Sequence, residues 1–174
     1  NNGSVRVRRW YAPVARELLA RAGQSQGGLR LVLDGTKVSQ HHQLLMVAVL
    51  YRRRALPIAW TWLRCGKGHS SSRVQQALLT YVYQLVPAET AVIVMGDSEF
   101  TPVQSLLHTW GWSYALRQKG SYLVRTHPDA PWQRCDTLVT HPGECRWFTN
   151  VQLTHKHQLT CNFLAYWQPG EKVP

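Results

Sequence analysis

Leu31-Val32-Leu33-Asp34-Gly35-Thr36-Lys37-Val38 and Val92-Ile93-Val94-Met95-Gly96-Asp97-Ser98-Glu99-Phe100 are built alike. Each is a short apolar run that reaches an aspartate and continues into small or polar residues. From Ala91 to Met95 the second run is wholly apolar, the pattern of a strand buried on both faces. Two carboxylates at the ends of two apolar strands therefore anchor the reading of the chain.

Working outward, Leu29 to Leu33, Leu44 to Tyr51 and Ala55 to Leu63 read as three strands joined by short links, hence an antiparallel meander. Ser70 to Ser72 can cap a helix whose apolar face carries Val74, Ala77, Leu78, Tyr81, Val82 and Leu85 before Pro87 ends it. Pro102 suits the first turn of another helix running to about Trp110, and Trp112 to Arg117 alternates as a strand. The order is β-β-β-α-β-α-β, which lets the first and fourth strands lie side by side and brings Asp34 and Asp97 together.

Ahead of this core, residues 1–28 read as a basic connecting helix over Val5 to Ala22. Trp10, Val14, Leu18 and Leu19 form its apolar stripe, and Gly23 with Gly27-Gly28 ends it. Residues 29–118 form the α/β core. Residues 119–174 change character: Gly, Pro and His punctuate short pieces at Asp136 to Thr140, Arg146 to Leu153 and Thr160 to Trp167. They read as an inserted, mostly β lobe with Trp132, Trp147, Phe163 and Trp167 as its core. The chain's abrupt start within a helix reads as that of a piece of a longer protein.

Twenty Lys and Arg against nine Asp and Glu give the 174 residues a formal net charge of +11. That balance favours a polyanionic partner, nucleic acid first, over the plainer reading that the charge only keeps the protein soluble. No apolar run approaches the ~20 residues needed to cross a bilayer and no signal peptide opens the chain, so an intracellular, cytoplasmic setting is expected. The four cysteines lack paired spacing, which argues for reduced thiols. His and Cys of the C-terminal lobe (Cys135, His141, Cys145, His155, His157, Cys161) match no zinc-finger spacing.

Paired carboxylates on rigid strand ends can share divalent cations, and hard oxygen ligands suit Mg²⁺ or Mn²⁺ better than zinc. A plainer alternative makes Asp34-Gly35 a turn and Asp97 a helix cap. Arg52, Arg53 and Arg54 between the second and third strands, Arg64 and Lys67 after the third, and Arg117, Lys119 and Arg125 after the fifth are candidate phosphate contacts. His41-His42 reads more simply as an exposed turn than as part of the site.

Leu33-Asp34-Gly35-Thr36-Lys37-Val38 and Met95-Gly96-Asp97-Ser98-Glu99-Phe100 resemble the first-Asp and second-Asp strands of bacterial insertion-sequence DNA transposases of the DDE class. The resemblance runs from about Leu29 to the C-terminus, with Ser98 where the family usually has Arg. It implies a ribonuclease-H-like mixed sheet with a β-rich insertion before the third acid. It also implies Asp34 and Asp97 as catalytic metal ligands, Mg²⁺ or Mn²⁺ as cofactor, double-stranded DNA (transposon ends and target) as partner, and a homo-oligomer in the full-length, nucleoid-associated protein. In that family, strand cleavage precedes strand transfer, and a tryptophan of the insertion can stack on an extruded base. The family's third acid, a Glu on a later helix, has no match: Glu171 sits among Pro169, Gly170 and Pro174, and Glu99 is expected to point along a loop. Two rivals remain: another ribonuclease-H-like nuclease without strand transfer, and a non-catalytic basic nucleic-acid-binding module.

Overall fold

In the computed structural model, which describes residues 6–64, 70–154 and 159–172, helix α1 (Val7–Gln26) leads into the sheet and stops where Gly27 adopts a left-handed φ of 65°. It runs straight through Gly23. Its buried face is Ala15, Leu19 and Ala22, whereas Trp10 is 79% exposed and Val14 is also exposed, so the expected stripe is rotated. Small alanines let the helix approach the sheet closely. Tyr11 fixes its angle by packing edge-on against Trp60 at 5.2 Å and donating its hydroxyl to the Pro57 carbonyl at 2.9 Å.

Strands β1 (Leu29–Ser39), β2 (His42–Tyr51) and β3 (Arg54–Leu63) form the antiparallel meander. Helix α2 (Ser72–Tyr83) crosses to β4 (Val92–Gly96). A 3₁₀ turn (Ser98–Val103), helix α3 (Gln104–Thr109) and strand β5 (Ser113–Leu116) follow. The sheet order is β3-β2-β1-β4-β5, with β4 parallel to both β1 and β5. The element order and the β1–β4 adjacency are those that the sequence predicts.

One face of this mixed sheet carries the core. Leu29, Leu31 and Leu33, Leu45, Val47 and Val49, and Val92 and Val94 alternate inward against Leu19, Leu78, Leu79, Val82, Phe100 and Leu107. Truncating one of these buried leucines to alanine costs about 2–5 kcal/mol. The other face is more open: Arg30 and Asp34 are exposed, and Ile93 is 41% exposed. Strand β4 is thus covered on one face only, contrary to the reading of its unbroken apolar run. An apolar run of five residues does not by itself distinguish one covered face from two.

The chain divides into two units, Asn1–Arg117 and Gln118–Pro174. The second holds an antiparallel sheet in the order β7-β6-β8-β9, made of β6 (Leu123–Arg125), β7 (Gln133–Arg134), β8 (Cys145–Leu153) and β9 (Leu159–Tyr166). The strand expected at Asp136 to Thr140 is instead a 3₁₀ turn (Cys135–Thr137) and a loop. There the Arg134 guanidinium holds the Asp136 carboxylate and the Thr137 hydroxyl donates to the Arg134 carbonyl at 2.8 Å, local bonds that compete with a ladder.

Val124, Cys135, Leu138, Val139, Val151, Leu153, Phe163 and Ala165 form this unit's core, with Trp167 packed against it. Trp147 is 62% exposed, not central. It pairs with Leu164 on one face of the β8–β9 ribbon, while the neighbouring Phe148–Phe163 pair occupies the other. Trp132 is half-buried beneath the Arg125 guanidinium, 5.1 Å from its ring centre.

Candidate active site

Register sets the geometry. Leu33 pairs with Gly96 across the parallel β1–β4 ladder, and Gly96 pairs with Leu116 across β4–β5. The residues that follow these pairs are Asp34, still within β1, and Asp97 and Arg117, each one step past the end of its strand, so three charged residues stand at the same end of adjacent strands. All three are exposed. Asp34 follows Val32 at a spacing of two and so lies on the open face of the sheet that Val32 and Met95 share, away from the Leu31–Leu33 core.

Asp34 does not end its strand: β1 continues to Ser39 as a ribbon paired with β2. Asp34 marks the point where β1 parts from β4. The Thr36 hydroxyl donates to Asp34 Oδ2 at 3.2 Å. Asp97 caps the 3₁₀ turn, its Oδ1 accepting the Glu99 N–H at 2.9 Å. The capping role weighed from sequence is therefore real, and it uses only one of the two carboxylate oxygens. No Lys or Arg among the described residues forms an ion pair with either aspartate.

Backbone space explains the flanking glycines. A Cβ on Gly96 would lie 2.9 Å from the Phe100 ring and 3.3 Å from the Leu33 carbonyl oxygen. Glycine here lets the Phe100 ring and the Leu33 carbonyl close in on the residue before Asp97.

Glu99 does not follow the loop as expected. It points into the protein, where its Oε1 accepts from the Ser70 N–H at 3.0 Å and from the Ser70 hydroxyl, and its Oε2 accepts from Gln43 Nε2 at 3.4 Å. Gln75 Nε2 donates to the Ser70 hydroxyl at 2.9 Å and to the Glu99 carbonyl at 3.1 Å. Gln43 and Gln75 are fully buried, and Gln75 Oε1 has no hydrogen-bond partner among the described residues. This polar cluster ties α2, β2 and the Asp97 turn together directly behind Gly35. Sequence reasoning missed it, although both glutamines were legible as polar residues at core positions: Gln43 two residues before Leu45, and Gln75 in the i, i+3, i+7 row of Leu78 and Val82.

The basic candidates scatter. Arg64 follows β3 at the carboxylate end of the sheet, since Leu63 pairs with Gln43 and Gln43 with Lys37. Arg52, Arg53 and Arg54 lie at the opposite end. Asp34 pairs with Met46, and the six residue steps from Met46 to Arg52 span about 20 Å of strand. Arg52 and Arg53 take left-handed φ values of 48° and 63° to close that turn. Lys119 and Arg125 belong to the second unit; Arg125 Nε donates to Gln152 Oε1 at 2.8 Å, and Lys119 is exposed. Lys67, like His155 and His157, lies outside the described residues. His41 and His42 sit at the exposed β1–β2 turn, His42 bound to the Ser39 hydroxyl.

Among the described residues no group of three or more His, Cys, Asp or Glu side chains converges on one point. No helix among them is long and apolar enough to cross a membrane.

The sequence matches no protein-family model and no curated relative. Its structure is similar to the catalytic domain of Mos1 mariner transposase, at 18% identity and a TM-score of 0.36. The match covers 66% of this chain and 62% of that domain. Likeness at that level leaves the reading of the site to its own geometry.

Proposed function

We propose that the first unit is a ribonuclease-H-like nuclease core of a DNA transposase, with Asp34 and Asp97 as its two divalent-cation ligands. The observation that supports this reading is the ladder register: Leu33 pairs with Gly96, and each is followed by an exposed aspartate. Their donors are hard oxygens suited to Mg²⁺ or Mn²⁺. Thr36 orients one carboxylate and the Glu99 N–H the other, which leaves an oxygen of each for a ligand. Arg117 follows Leu116, the β5 partner of Gly96, and is the candidate to hold a phosphate beside them. Bound there, the cations would activate a water for attack on a phosphodiester and stabilise the leaving oxygen. A net charge of +11 suits a DNA partner, transposon end and target alike.

The test is strand cleavage by the protein in Mg²⁺ with Asp34→Asn and Asp97→Asn. Both should lose cleavage while keeping duplex affinity. Cleavage retained by either variant overturns the reading.

A second reading is favoured by Glu99. The acid nearest the pair in sequence is bound to Ser70 and Gln43, so a site of two carboxylates fits a nucleic-acid-binding module that lacks the chemistry. Titration with Mn²⁺ separates the two: binding that Asp34→Asn abolishes supports the nuclease, and undetectable binding supports the module.

A further inference from the structure

A second site lies at the free edge of the same sheet. Strand β3 has β2 on one side and no strand on the other among the described residues. Along that edge a groove of about 470 Å³ opens between β3, the start of α1 and α2. Its walls include Tyr11, Trp60, Trp62 and Tyr81, and Arg6 and Arg8 line it too. Among the described residues no acidic side chain lines it.

The aromatic walls are held in place. Tyr11 is fixed by its hydroxyl bond to Pro57 and its edge-on contact with Trp60. Tyr81 donates to the Arg8 carbonyl at 3.2 Å and carries the Arg8 guanidinium 4.9 Å from its ring centre. Trp62 is 59% exposed, an indole face given to solvent where burial would be worth more. Rigid flat rings beside exposed guanidinium groups match an unpaired base and its phosphates, which aromatic stacking and cationic contacts hold without regard to sequence.

We propose that this groove binds single-stranded nucleic acid, with a base stacked on Trp62 and the backbone phosphates against Arg6 and Arg8. An extended peptide adding to the free edge of β3 is the competing occupant. The arginines and the absence of acids argue for an anionic ligand, and four aromatic rings argue for one with flat faces. Trp60 stands in register with Met46 and Asp34 two strands away, but the groove uses none of the aspartate pair's side chains and does not depend on its chemistry.

The test uses the whole chain and a fluorescein-labelled deoxythymidine decamer, read by anisotropy beside a mixed-sequence duplex of the same length. Trp62→Ala, at an exposed position that folding does not need, should weaken decamer binding about tenfold and leave duplex binding unchanged, because a paired base offers no free face. Arg6→Ala with Arg8→Ala should weaken the decamer further. Trp147→Ala, an exposed tryptophan of the other unit, should change nothing, and Asp34→Asn should bind the decamer like the parent even where it abolishes cleavage. Unchanged decamer binding by Trp62→Ala, an equal loss for duplex, or displacement of the decamer by an alternating Glu-Val peptide would overturn the proposal.

Discussion

The side-chain amide of Gln43 fills the space that a Cβ on Gly35 would need. A single methyl group is thus excluded at the residue following Asp34, on the buried side of the strand. Behind it stands Glu99, whose Oε2 would lie 3.3 Å from the same Cβ. Gly35→Ala should therefore destabilise the first unit by about 1–3 kcal/mol through overpacking, read as a lower midpoint in urea with the slope unchanged. A midpoint equal to the parent's would show that the amide moves freely, and with it the cluster behind the aspartates.

Asp97 caps the 3₁₀ turn and, in the proposed function, also holds a cation; two substitutions divide these roles. Asn caps a helical turn about as well as Asp, so Asp97→Asn should unfold with the parent. Asp97→Ala loses the bond to the Glu99 N–H and should cost about 0.5–2 kcal/mol. Equal stability of all three proteins would mean that the cap contributes nothing measurable.

Glu99 accepts from Ser70 N–H, from the Ser70 hydroxyl and from Gln43. A carboxylate has acceptors for all three; an amide places donors against donors. Glu99→Gln is expected to cost about 1–3 kcal/mol in denaturant unfolding, the range for a buried polar group left without its partner. A neutral result would mean that Ser70 and Gln43 find other partners.

In the second unit, burial pushes the Cys135 thiol up to about 12, with the nearby Asp136 and Cys161 charges adding to it, and burial alone pushes Cys161 up to about 11. Both stay protonated at pH 8, whereas Cys145 is exposed. Iodoacetamide at pH 8 should label Cys145 and spare the other two, read by peptide mass spectrometry. The linked stability effect has a definite sign. Above pH 9 the unfolded thiols lose protons that the folded ones keep, so the unit should lose stability from pH 9 towards 11. Rapid labelling of Cys135 in the folded protein would contradict the burial.

The lobe's two kinds of aromatic residue make a further contrast. Phe163→Ala should cost about 3–5 kcal/mol and Trp147→Ser less than about 0.5. Circular dichroism of the two variants on heating decides it.

Sequence pattern carried the strand order and the β1–β4 adjacency, because period-two and period-3.6 apolar repeats are set by backbone geometry alone, but not the run of β1 past Asp34 to Ser39. It did not carry which face of α1 is buried: alanines at positions 15 and 22 look neutral, yet close approach to a sheet selects them over Trp10 and Val14. Nor did it carry the inward turn of Glu99, which depends on partners 29 and 56 residues away in the chain. For the same reason Arg52–Arg54 looked like part of the site. Only the strand register shows that they stand at its far end.

That β2–β3 turn holds two arginines in a backbone conformation that asparagine and glycine adopt at less cost. Conformational ease has yielded there to positive charge. The about 20 Å between this tip and Asp34 sets a ruler for ligands: at about 3.4 Å per base pair, a duplex of fewer than about six pairs laid along the strands reaches one end or the other and never both. Plotting affinity against duplex length should then show a break near that size if the two ends act on one molecule, and a smooth rise if they do not.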